Sequence, residues 1–216
     1  MDDKQRSLQE LHQIKTMMER SSRFISLSGL SGIAAGVCAL GGALAATQVI
    51  DCWQTGECSY GRLAKDVTRL QNQLLLIAIL TFVGAFISAF IFTWLRSSSK
   101  NIPLWGSTTL RLFWNTAIPM IAGALFIIRS SQLHEYELIA PGCLIFYGLA
   151  LVNASKYTLG GVRYLGYGQL ILGAINLWMT GYGLFFWAAG FGILHIIYGM
   201  LMWWKYERNE EKHDIE

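Results

Sequence analysis

The sequence predicts an all-α polytopic membrane protein, a bundle of six transmembrane helices with an N-terminal amphipathic cytoplasmic helix. Three observations predict it. The 41 residues from Tyr164 to Trp204 contain no Asp, Glu, Lys or Arg. The whole chain of 216 residues is 53% apolar and only 14% charged, against roughly a quarter charged in soluble domains. Further uncharged runs precede the long one, separated by short polar connections.

Residues 1–23 read as the amphipathic helix, with Leu8, Leu11, Ile14 and Met18 on one face. Such a face suits the membrane interface, or a short docking or self-association surface. The first span covers about 24–50. Its uncharged run is too long for the apolar part of a cleaved signal peptide, so the N-terminus is expected to be retained. Asp2 stands where myristoylation needs a glycine and no CaaX ending is present, so the spans are the expected anchor. Small residues crowd this first span: Ser28, Gly32 and Gly36 repeat every four, and Ala35, Ala39 and Ala43 form a second row. Rows of this kind let helix backbones approach closely, here most simply within the chain, with a dimer face as the alternative.

The second span covers about 73–95 and the third about 112–128. The third is short, being closed in by Arg111 and Arg129, and it contains Pro119. A proline leaves the carbonyl four residues earlier without its usual donor, here that of Asn115, so a bend with a polar notch is expected. The fourth span covers about 138–155. As one helix, Tyr164 to Trp204 would be about 60 Å long at ~1.5 Å per residue, twice a ~30 Å hydrocarbon core. It therefore folds back, with the turn at Thr180-Gly181-Tyr182-Gly183 and spans at about 164–179 and 184–204. The transmembrane domain is thus 24–206, and 207–216 is a charged tail. A faint repeat links the hairpins that begin at Arg111 and Arg163: each ends at Lys-Tyr and carries a Tyr-Gly, Tyr147-Gly148 and Tyr198-Gly199.

The stretches MERSSRFISLSGLSG (Met18 to Gly32) and FYGLALVNASKYT (Phe146 to Thr158) resemble those of a family of small, uncharacterised bacterial inner-membrane proteins with six predicted spans. The resemblance implies the fold and an inner-membrane location. It implies no activity and no site residue.

Lys and Arg outside the spans divide as 13 on the side of both termini and 4 on the other, which predicts that both termini are cytoplasmic. The connection carrying Cys52 and Cys58 then faces the oxidising side, and a disulfide between them is expected, with Gly56 easing the turn. Cys38 and Cys143 lie within spans and are expected to stay free.

Chemistry inside a membrane calls for acids, bases or metal ligands facing one another. No Asp or Glu falls within a span, there is no HExxH or CxxC, and a second core histidine for haem is missing, so no cofactor is implied. The net charge of +3, with no basic run, argues against nucleic acid. His134, Glu135 and Glu137 make at most a weak cation cluster. His195 is the one histidine deep in a span, either a structural hydrogen-bonding group or a proton, ion or substrate contact. Gln169 is its expected partner, because each lies 13 residues from Tyr182 at the hairpin tip and hence at one depth. Asn115 completes the candidate intramembrane polar site. The function expected is that of a non-enzymatic membrane protein working through partners, in assembly or signalling. Besides the bilayer, the expected partner is a cytoplasmic protein at the N-terminal helix, with a homo-oligomer as an alternative. The rival is a small-solute or ion transporter with its site near His195.

Overall fold

A computed structural model describes residues 29–55, 65–99, 107–158 and 160–207. The helix expected over 1–23, Cys58 and the tail from 208 onward lie outside the described residues. Among those described, every regular element is helical and no strand occurs. The helices are α1 (Gly29–Thr55), α2 (Lys65–Ser99), α3 (Ser107–Gln132), α4 (Ile139–Ala154), α5 (Val162–Trp178) and α6 (183–207). A 3₁₀ turn, Tyr136–Leu138, leads into α4. The last helix is composite. It is α-wound over Gly183–Trp187, π-wound over Ala188–Leu194, α-wound over His195–Met202 and π-wound again over Trp203–Glu207.

Among the described residues, five helical stretches are long and apolar enough to cross a membrane. The remaining one, α5, has 17 residues and is about 25 Å long at ~1.5 Å per residue, just short of a ~30 Å core. Two expected boundaries move outward. The third span runs from Ser107 to Gln132 instead of 112–128, because Arg111 and Arg129 continue the helix instead of ending it. Long basic side chains at helix ends reach to the interface, so a charge there does not mark the helix limit. Pro119 lies within α3 without interrupting it. The second helix likewise extends beyond 73–95 at both ends.

Packing follows the glycines. α1 lies between α2 and α6, α6 packs on α4 and α5 as well, and α3 packs on α4. Gly32 and Gly36 of α1 face α6: a methyl group on Gly36 would stand 2.7 Å from the Gly192 carbonyl oxygen, and one on Gly32 would stand 3.3 Å from the Gly199 Cα. The small-residue row of the first helix is therefore used within the chain. α4 and α5 cross at Gly148 and Gly166, where a methyl on either residue would approach the other's carbonyl oxygen to about 3 Å. The turn between α5 and α6 has Gly181 at φ 86, a left-handed conformation that L side chains resist.

α2 and α3 are peripheral. In its apolar window α2 buries no residue, and α3 buries 6% of its own. Phe82, Phe86, Ile91 and Trp94 of α2, with Phe113, Trp114, Ile121 and Leu125 of α3, are exposed. So much continuous apolar surface suits hydrocarbon and not water. The amide of Gln71, near the start of α2, donates to the Tyr136 hydroxyl in the connection before α4, so these two points lie on one side of the molecule.

Candidate functional site

The buried positions of α5 are Val162, Leu165, Gly166, Gln169, Gly173 and Asn176, a stripe at helical spacing turned toward α4 and α6. Gln169 is its polar member and is fully buried. Glycines above and below it let α4 approach, so the amide is pressed into the three-helix junction. Opposite stands the π-wound part of α6, with Gly190 at its third position. A side chain on Gly190 would collide with Leu144 and with the Gln169 amide oxygen, so glycine is what allows the amide to reach the backbone.

His195 is the first residue after the π-wound stretch and is 6% exposed. Its Nδ1 lies 3.0 Å from the Gly190 carbonyl oxygen, and the Gln169 Nε2 lies 2.8 Å from the same oxygen. A carbonyl only accepts, so both nitrogens donate. The 3.5 Å separation between Gln169 Nε2 and His195 Nδ1 is then the distance between two donors that share an acceptor, not a bond. With its proton on Nδ1, the neutral ring offers a lone pair at Nε2. The Tyr147 hydroxyl of α4 donates to that nitrogen across 2.9 Å. The imidazole thus has a partner on each side, and with Gln169 on the shared Gly190 carbonyl three helices meet in one cluster.

Aromatic rings close the cluster. Tyr147 stacks on His195 at 5.5 Å and packs on Phe191 at 5.1 Å, and Phe191 in turn lies 5.0 Å from Trp187. One polar atom is left over: Gln169 Oε1 is buried and has no hydrogen-bond partner.

No protein-family model, curated protein or solved structure matches this chain. The arrangement is therefore read from its own chemistry. Both imidazole nitrogens are engaged, and Asp51, Glu135 and Glu137, the acids whose side chains are described, lie near a helix end or in the connection before α4. The described residues contain no group of three His, Cys, Asp or Glu placed to hold a metal ion. His134, Glu135 and Glu137 accordingly do not form the cation cluster considered from sequence, and the His134 ring packs on Tyr136 at 5.9 Å.

Of the sequence-derived candidates, the structure brings Gln169 and His195 together and leaves Asn115 apart. The Asn115 amide donates 2.8 Å to the Arg111 carbonyl of its own helix, the local back-bond that short polar side chains make. Asn176 donates 3.2 Å to the Met179 carbonyl at the end of α5, and its Oδ1 is buried without a partner. Cys38 and Cys143 are free, and Cys38 Sγ lies 3.9 Å from Ser88 Oγ of α2. The pairing of Cys52 turns on Cys58, outside the described residues. Tyr147 was missed. Its signal was the Tyr-Gly pair at 147–148, read only as a mark of repetition: the glycine brings α4 against α5 and the tyrosine beside it reaches α6.

Proposed function

We propose that the chain is a six-span protein of the bacterial inner membrane that acts through partner proteins, as an assembly or signalling component, and performs no catalysis. One observation carries this reading: the polar groups at the centre of the bundle are engaged with one another. A transporter needs polar groups that face a path, whereas His195, Gln169 and Tyr147 join α4, α5 and α6. The resemblance of residues 18–32 and 146–158 to a family of six-span inner-membrane proteins supports the location. α5 serves as the sixth span, its short length made good by α4 and α6 on either side. The excess of Lys and Arg on the side of both termini supports a cytoplasmic N-terminus and C-terminus. On that topology Cys52 and Cys58 form a disulfide outside the cytoplasm. A mass shift on alkylation of unreduced protein at either cysteine would refute it.

The partner site of this reading is the apolar face of Leu8, Leu11, Ile14 and Met18. In-membrane photocrosslinking from Leu11 is expected to trap a defined protein, and Leu11→Asp to abolish the adduct while the chain stays in the membrane. Adducts to lipid alone would overturn it. The rival reading, transport of a small solute or ion, has one observation in its favour: the buried acceptor Gln169 Oε1 without a donor. Solute flux into vesicles that carry the purified chain, lost on His195→Leu, would establish that reading instead.

A further inference from the structure

The π-wound stretch Ala188–Leu194 stands between two α-wound segments of one continuous helix. π-Winding shifts each backbone hydrogen bond by one residue, is rare in long runs, and recurs at functional positions. Here the side chains that hold it come from three helices. Gln169 of α5 and His195 of α6 both donate to the Gly190 carbonyl, and Tyr147 of α4 fixes the imidazole from its other nitrogen. The buried, unpartnered Gln169 Oε1 shows that this arrangement does not satisfy every group it gathers.

The other side of the same stretch carries α1. A methyl on Gly36 would stand 2.7 Å from the Gly192 carbonyl oxygen, and one on Gly29 would stand 2.5 Å from that of Gly199. α1 is therefore seated on backbone whose position depends on how α6 is wound.

We propose that α6 is a two-state element, π-wound while Gln169 and His195 hold the Gly190 carbonyl and α-wound when they release it, and that α1 follows the change. A one-residue change of register displaces the rest of α6 by about 1.5 Å along its axis and about 100° around it. That carries Gly192 and Gly199 off the glycines of α1. Close-packed interfaces have discrete seats and do not deform continuously, so α1 moves to a new one. Residues 1–28 precede α1 in the sequence, so a shift of α1 would reach the segment that carries Leu8, Leu11, Ile14 and Met18. That last link rests on the partner reading above; the winding itself does not.

The test uses the full chain in lipid nanodiscs, followed by hydrogen exchange and by the distance between spin labels on two exposed positions, Leu44 of α1 and Ile171 of α5. The four native cysteines are replaced by alanine for labelling. Gln169→Leu removes one of the two holding donors. It is expected to raise exchange over 188–194 about tenfold, the effect of one net hydrogen bond, and to add a second label distance. Exchange at the Gly148–Gly166 crossing is expected to stay unchanged. A second variant, with Ala189 removed, takes out one residue of the π-wound stretch and is expected to show only the second distance. A single unchanged distance in Gln169→Leu, or equal loosening of the α4–α5 crossing, would overturn the two-state element. So would an Ala189-deleted chain that folds with the original distance; should that chain not fold, Gln169→Leu decides alone. Failure here leaves crosslinking from Leu11 untouched, and failure of that crosslinking leaves the label distances untouched.

Discussion

The four helices α1, α4, α5 and α6 and the two helices α2 and α3 are all rich in apolar residues yet are held in different ways. The first group meets backbone to backbone through glycine, Gly36 on Gly192, Gly29 on Gly199 and Gly148 on Gly166, with a hydrogen-bonded centre at Gly190. α2 and α3 instead touch the bundle where a glycine meets a side chain, Gly42 at Thr81 and Gly123 at Phe146. The second group presents Phe, Ile, Leu and Trp outward along most of its length. In a bilayer an exposed leucine loses nothing by leaving a neighbouring helix for lipid, so apolar content alone brings no two helices together. Close backbone approach and internal hydrogen bonds do. Cohesion in this bundle tracks small residues and buried polar groups, not hydrophobicity.

The largest effect is expected from filling a glycine crossing. A methyl on Gly36 already stands 2.7 Å from both the Gly192 carbonyl oxygen and Ile196 Cγ1, so Gly36→Leu forces backbone to move. Overpacking costs typically 1–3 kcal/mol and occasionally more, and about 3 kcal/mol is expected here. Thermal unfolding in detergent would show it as a large loss of folded protein. Ile79→Ala on α2, which removes three carbons at a half-exposed site, is expected to stay within about 0.5 kcal/mol. Equal effects of the two would end the distinction between the groups.

Next in size is the polar centre. His195→Leu leaves the Tyr147 hydroxyl without its acceptor and the Gly190 carbonyl with one donor fewer. Leaving buried polar groups unpaired costs about 2 kcal/mol, or a fall in melting temperature of about 5 °C for a chain of this size. Tyr147→Phe removes a single hydrogen bond and is expected to cost less, about 1 kcal/mol. Combining the two substitutions gives a coupling of about 0.6 kcal/mol, the usual size inside membranes. Zero coupling would mean that the 2.9 Å contact contributes nothing to cohesion.

The helices, the turn at Gly181 and the shared depth of Gln169 and His195 were legible because each follows from length and periodicity. Equal counting from Tyr182 fixes depth along two antiparallel helices whatever their rotation. Rotation was not legible, and what depends on it was missed. Tyr147 belongs to the cluster only because Gly148 lets α4 lie against α5, a fact of crossing geometry. Asn115 joins the candidate site on its polarity and on Pro119 four residues later, yet α3 packs on α4, and the amide finds its partner one turn back at Arg111. The π-winding of 188–194 left only a weak trace, Gly190 and Gly192 two residues apart. Nor does apolar content show which helices are peripheral, since residues 70–95 of α2 and 183–204 of α6 both lack Asp, Glu, Lys and Arg.

The smallest effect expected sharpens the comparison from the outer side. The Gln71 amide and the Tyr136 hydroxyl form the described hydrogen bond that ties α2 to the α3–α4 connection. Both residues belong to a region open to solvent or headgroups, where water replaces a lost partner. Gln71→Leu is therefore expected to cost about 0.5 kcal/mol, the low end for a net hydrogen bond, and to leave the melting temperature within about 2 °C. The informative readout is local. Hydrogen exchange at Tyr136–Leu138, a 3₁₀ turn that follows His134 at φ 64, is expected to quicken, while α1 and α6 keep their protection. If instead the whole bundle loses more than about 1.5 kcal/mol, α2 is held in place by this tether, and its packing on α1 through Gly42 and Thr81 is not sufficient. The outer helices would then share in the cohesion of the centre, and the line between the two groups would have to be drawn elsewhere.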